Sequence, residues 1–326
     1  MRNTLTSALV KTILVTNMAL LLTACGGGSS SSSTTGTLNL AITDAPIDEA
    51  KQVVVEFTGV ELQGPSGRVD HDFVDESGNP VTKQIDLLAL TEGATEDMLK
   101  DITLEAGEYS WVRLKVNAEN GILDSYIMLK DDSQHSLHVP SGNQSGLKLN
   151  RGFVVPAGGS ASYVIDFDLR KSVHKPASDN QDYKLRPTLR LIDQSSVGIL
   201  TGTVNSELIT SECNGAIYVY NTEDAVDDID GTGDPITTAM VKGDGTTPYT
   251  YKIAFLSEGD HKIAFTCDSA NDDPETDEAA ADVSFSGETT VTIEKDTTTT
   301  HDFEPAPAPE PTTPIEEEVV TEEPAV

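Results

Sequence analysis

Apolar residues recur at every second position along much of this chain. Leu38, Leu40 and Ile42 make one stripe, Val53, Val55 and Phe57 a second, and Val112, Leu114 and Val116 a third. Ile165, Phe167 and Leu169 make another, and Leu185, Leu189 and Leu191 close the series. Side chains alternate across a strand, so this period selects half-buried β-strands and excludes a helical bundle. Turn chemistry bounds the runs at Asp44-Ala45-Pro46, Gly64-Pro65-Ser66-Gly67, Ser77-Gly78-Asn79-Pro80 and Pro156-Ala157-Gly158-Gly159. The exception is the stretch 86–100, where Leu87, Leu88, Leu90, Met98 and Leu99 predict a short helical element of one or two turns. The strand pattern resumes at residues 198–204, 216–220, 250–256, 261–267 and 291–293. The expectation is a mainly β chain with two antiparallel β-sandwich-like domains in tandem.

Charge divides the chain. Residues 37–194 carry 25 acidic and 15 basic side chains, whereas residues 197–303 carry 22 and 4, which puts the domain boundary near Ser195-Ser196. The whole chain has 54 Asp and Glu against 21 Lys and Arg, a formal net charge of -33, which repels phosphate backbones and excludes nucleic acid as a partner. Hydrophobic residues at 37% suffice for a core, so the chain is not wholly disordered. Residues 304–326, acidic, Pro-rich and without a base, are expected to form a disordered tail.

The first 24 residues read as an export signal: Arg2 and Lys11 precede an apolar run too short to span a membrane, which ends at Leu22-Thr23-Ala24-Cys25. That tetrad matches the lipobox of bacterial lipoprotein signal peptides. The resemblance implies that Cys25 becomes the lipidated first residue of the mature chain and, with Gly26 rather than Asp beside it, that the chain reaches the outer membrane. Residues 25–36 then supply the anchor and a Gly/Ser tether. The expected setting is the outer membrane, facing the periplasm or the cell surface.

In that oxidising setting Cys213 and Cys267 are expected to be bridged. Cys213 shares side-chain parity with Ile217 and Val219, and Cys267 with Ile263 and Phe265, so both point to the core side of their strands.

Six segments of residues 36–193 together resemble domain of unknown function 4382, a bacterial family found on lipoproteins. They are Thr43-Asp44-Ala45-Pro46, Asp86-Leu87-Leu88, the stretch from Leu104 through Gly107 and Tyr109 to Leu114, Val139-Pro140-Ser141-Gly142 with Leu147-Lys148-Leu149, the stretch from Ile165 to Val173, and Tyr183 to Pro187. The resemblance implies an envelope setting and no established activity. The block 197–303 is similar to the β-sandwich modules of carboxypeptidase regulatory-like domains, which implies a binding or spacer unit. Leu104-Glu105-Ala106-Gly107-Glu108-Tyr109 and Leu256-Ser257-Glu258-Gly259-Asp260-His261 echo one another, each a glycine turn feeding an alternating strand.

Several constellations have both a functional and a structural reading. Asp166, Asp168 and Arg170 share one strand face, as do Trp111, Arg113 and Lys115, giving a charged sheet face that either recognises a polar ligand or, as favoured here, forms cross-strand pairs. Trp111 with the loop Ser141, Gly142, Asn143, Ser145 and Gly146 is the candidate ligand-binding set; the loop lacks the Gly-Lys-Ser/Thr of a phosphate loop and reads as a hairpin connection. Asp227, Asp228, Asp230 and Asp234 carry the hard oxygens calcium prefers, in no EF-hand spacing, and solvated acidic loops are the alternative. His135 and His138 are read as exposed loop histidines. No catalytic motif such as G-x-S-x-G, H-E-x-x-H or C-x-x-C is present, and no cofactor is implied. The expected function is a noncatalytic binding or structural module of the envelope, with a protein or glycan partner; the alternatives are a carbohydrate-binding surface protein and a hydrolase using acidic residues. The sequence does not set an oligomeric state.

Overall fold

The computed structural model describes residues 34–45, 50–140, 146–175, 182–229, 233–278 and 282–306. The signal segment, Cys25 and most of the tail lie outside these. The first half runs through β1 (Thr35–Ala45), β2 (Ala50–Gly64), β3 (Gly67–Asp72), β4 (Lys83–Asp86), β5 (Glu96–Glu105), β6 (Gly107–Tyr109) and β7 (Trp111–Asn117). It continues with β8 (Tyr126–Leu129), β9 (Gln134–His138), β10 (Leu147–Leu149), β11 (Phe153–Val155), β12 (Ser160–Asp168), β13 (Val173–His174), β14 (Tyr183–Leu185) and β15 (Leu189–Asp193). The second half holds β16 (Val197–Val204), β17 (Ala216–Asn221), β18 (Thr237–Met240), β19 (Tyr249–Ser257), β20 (Gly259–Thr266), β21 (Phe285–Ile293) and β22 (Thr298–Thr300).

In the first half a sheet ordered β15-β12-β1-β5 faces a larger one ordered β10-β7-β2-β8-β9-β14-β13, with β3 and β4 also paired to β2. The alternating stripes supply the core between them: Leu38, Ile42, Val53, Val55, Phe57, Val112, Leu114, Ile165 and Phe167 are fully buried. Each such side chain contributes roughly 1.5–3 kcal/mol. The second half stacks sheet β19-β16-β22 on sheet β18-β17-β20-β21 over a core of Leu200, Ile217, Val219, Ile253, Ile263, Phe265 and Phe303. The class is therefore mainly β and sandwich-like. Pairing is largely antiparallel, but β1–β12, β9–β14 and β16–β22 are parallel.

The helical expectation for 86–100 is met only in part. Leu87–Gly93 forms 3-10 turns capped by Asp86, whose carboxylate accepts from the Leu88 N–H. Met98 and Leu99 instead lie in β5, both buried, where register shifts against β1 let two consecutive side chains face inward. A bulge of this kind mimics the crowding of a helix face in sequence.

Two other expectations are corrected. His135 and His138 are half-buried on strand β9, not in a loop. β9 and β10, the strands on either side of residues 141–145, are not hairpin partners, because β10 pairs with β7 while β9 pairs with β8 and β14. The disulfide expected from parity is present: Cys213 and Cys267 are bonded and pack on the second core from just outside β17 and β20.

Candidate functional site

The strand β12 ends where Asp168 caps a single helical turn, Leu169–Ser172, its carboxylate accepting from the Lys171 N–H at 3.2 Å. Leu169 turns into the first core and Arg170 turns away from it, towards the second half. Arg170 donates from Nη1 to the Tyr218 hydroxyl at 2.6 Å and to the Ser269 carbonyl at 3.1 Å, and its guanidinium sits 5.7 Å from the Tyr218 ring centre. The Tyr218 hydroxyl in turn donates to Asp272, whose other oxygen accepts the Ile229 N–H at 3.1 Å. Arg170, Tyr218 and Asp272 are 6%, 0% and 7% exposed. Burial pushes the Tyr218 hydroxyl far above the ordinary phenol range and raises Asp272, against the lowering effect of the Tyr218 hydrogen bond and Arg170. Buried charges persist only when paired and hydrogen-bonded, as these are.

The charged face expected of β12 is thus covered. Asp166 forms the cross-strand pair with Arg190, whose Nε lies 3.0 Å away, at directly opposite register positions. Asp168 is buried and its carboxyl is raised chiefly by that burial. Further contacts join the halves: Lys171 to the Pro235 carbonyl at 2.9 Å and to Asp234 at 3.1 Å, His174 and Arg186 to Glu275 at 3.0 and 3.5 Å, and Lys242 to Glu92 at 2.5 Å. The cations come mostly from residues 170–186 of the first half and the carboxylates from the more acidic second half. Beside this junction lies a cleft of about 380 Å³, lined by His174, Lys175 and Tyr183 on one side and Asn271, Asp273 and Glu275 on the other. Both signs of charge and an aromatic ring line it, so it suits a polar ligand or a peptide segment.

Of the residues singled out from sequence, those that are described (Trp111, Gly146, Asp227, Asp228 and Asp234) do not line that cleft. Trp111 is half-buried on β7, with Lys148 Nζ 4.5 Å and the Arg113 guanidinium 5.5 Å from its ring, so cations already occupy the ring's surroundings. Gly146 lies at φ 55°, close under the Leu114 carbonyl, while Ser141, Gly142, Asn143 and Ser145 lie outside the described residues. Of the acidic set, Asp234 pairs with Lys171, Asp227 accepts from the Asp228 N–H at 3.1 Å, and Asp230 lies outside the described residues. Asp228 instead lies beside Asp272 and Glu278. One signal for the junction was available: residues 216–220 are apolar or aromatic on both strand faces, where one-sided strands alternate.

Fold and junction define a mainly β protein of two packed halves. Residues 35–187 match the family model described as Domain of unknown function (DUF4382). The comparison with curated proteins returns no match. Among solved structures, the Bacillus anthracis TIE protein is 11% identical, with 82% of this chain and 33% of that chain covered and a TM-score of 0.19. The minor pilin GBS52 of Streptococcus agalactiae is 13% identical, with 82% and 97% covered and a TM-score of 0.18. BcpA, the major pilin subunit of Bacillus cereus, is 10% identical, with 82% and 99% covered and a TM-score of 0.19. The chain spans 33% and 26% of the first two solved structures it matches. No helix among the described residues is long and apolar enough to cross a membrane.

Proposed function

We propose that this chain is a noncatalytic binding or structural module of the bacterial envelope, held at the outer membrane through lipid on Cys25. The observation that carries the reading is the Arg170–Tyr218–Asp272 junction. The most deeply buried polar groups at the cleft are engaged in locking two sandwich-like halves together, and a fixed pair of halves is what a spacer or a two-sided binding unit requires. The lipobox supports the anchor, and the net charge of -33 supports attachment through acyl chains rather than through an anionic membrane surface.

Mild crosslinking in native envelopes, followed by pull-down, tests the module reading. Recovery of a protein or glycan partner that drops when His174 and Lys175 are replaced by alanine supports it. Turnover in a broad glycoside and ester screen overturns it. Detergent should release the chain from membranes and high salt should not; release by salt overturns the lipid anchor.

A further inference from the structure

The loop after β17 and the loop after β20 meet at three carboxylates. Asp228, Asp272 and Glu278 each present one carboxylate oxygen, and these lie within 4.8 Å of one another. Asp228 is 2% exposed and Asp272 7%, and Glu278 is half-buried. One Asp228 oxygen, Oδ2, accepts the Glu278 N–H at 2.7 Å. The other, Oδ1, is buried and accepts no hydrogen bond from the described residues. An unpaired carboxylate oxygen, out of water and beside two more carboxylates, is costly unless positive charge sits among them. The Arg170 guanidinium lies 3.8 Å from Asp272 and is already engaged with Tyr218 and Ser269.

We propose that Asp228, Asp272 and Glu278 bind one calcium ion, bridging the two loops directly behind the Arg170 junction. Calcium–oxygen bonds of about 2.4 Å let ligand oxygens lie up to about 4.8 Å apart across the ion. The donor set is all carboxylate, with no thiolate or imidazole to favour zinc. Calcium takes 6–8 oxygens, so water and main-chain carbonyls complete the shell around these three groups. The Asp228 carboxylate, with Oδ1 left without a donor among the described residues, is the group such an ion satisfies. Because Asp272 also receives the Tyr218 hydrogen bond, the ion stiffens the link between the halves. The other tenant such a cluster admits is a proton shared between Asp228 and Glu278.

The test is calorimetric titration of calcium chloride into the full chain after chelator treatment at neutral pH, with terbium luminescence sensitised by Tyr218 and Tyr220 as a second readout. One saturable event is expected, weakened by about tenfold or more in Asp228→Asn and in Glu278→Gln, because ligand charge sets calcium affinity. Asp227→Asn should bind as the parent does. Glu278 lies at the rim, so its variant keeps the experiment readable if Asp228→Asn folds poorly. No saturable uptake, or uptake that both variants retain, overturns the proposal. A gain in thermal stability of Asp228→Asn with no response to calcium also overturns it and assigns the shared proton instead. The measurement needs no membrane, so its outcome stands apart from the envelope reading.

Discussion

Tyr109 and His261 hold the same post in the two halves. The Tyr109 hydroxyl donates to the carbonyl of Glu105 at 3.0 Å, and His261 Nε2 lies 2.8 Å from the carbonyl of Ser257, each four residues back. Around them the backbone repeats. Gly36 opposes Leu104 and Gly198 opposes Leu256, and the Ala106 and Glu258 N–H groups donate to Thr34 and Ser196. In each half the opening strand, β1 or β16, lies between an antiparallel and a parallel neighbour. The chain then leaves that sheet at Gly107 or Gly259, at φ 145° and 124°. L side chains rarely adopt that conformation, so Gly107→Ala and Gly259→Ala should each cost about 1–3 kcal/mol in urea unfolding. If either proves neutral, the two turns are not equivalent.

Arg170 is the second place to press. Arg170→Ala removes the one guanidinium between Tyr218, Ser269 and Asp272 and should cost about 3–5 kcal/mol, the range for breaking a buried pair on one side. Tyr218→Phe should cost about 1–3 kcal/mol. Because the two share one network, the double variant should lose less than the sum, which a double-mutant cycle in denaturant reads directly.

Removal of the Cys213–Cys267 bond is a third. It closes a segment with a sequence separation of 54, for which chain entropy predicts a loss of about 4 kcal/mol on reduction. Since β17 and β20 are paired beside it, reduction should unfold the second core at lower temperature than the first, seen as two transitions in calorimetry where the oxidised chain shows fewer.

Asp168 gives a pH dependence. Burial holds its carboxyl above the ordinary carboxylate range in the folded chain, so the folded state binds the proton more tightly than the unfolded one. Its ionisation therefore costs stability as pH rises above that range, and the cost disappears on acidification. Asp168→Asn keeps a good cap for the Leu169–Ser172 turn, since Asn caps as well as Asp. The variant should be more stable than the parent at pH 7 and no more stable near pH 4, by chemical denaturation at both values. A parent more stable at pH 7 would show that Lys171 and Arg190 outweigh burial.

Much of this was legible in the residues themselves. The stripes Leu38-Leu40-Ile42 and Val112-Leu114-Val116 went inward because alternation is a local property of a strand. Met98-Leu99 deceived because a bulge is set by the neighbouring strand, β1, and not by the residues that form it. Asp166 and Asp168 are strand residues, as expected, but Arg170 leaves the strand on the turn Leu169–Ser172, and its partners lie across the chain, Tyr218 being 48 residues away. The surroundings of the acidic residues were hidden for the same reason. Asp228 meets Asp272 and Glu278 through two loops brought side by side, while Asp234, its neighbour in sequence, went to Lys171.

The double-sided burial of β17 has a practical sequel. Ile217 and Val219 serve the second core while Ala216, Tyr218 and Tyr220 face the other way, where Arg170 reaches over from the first half. A fragment beginning at Val197 would therefore carry an aromatic surface stripped of its cover and a carboxylate robbed of its counter-charge. Produced alone it should self-associate, and it should regain solubility when the residues before it are supplied in trans.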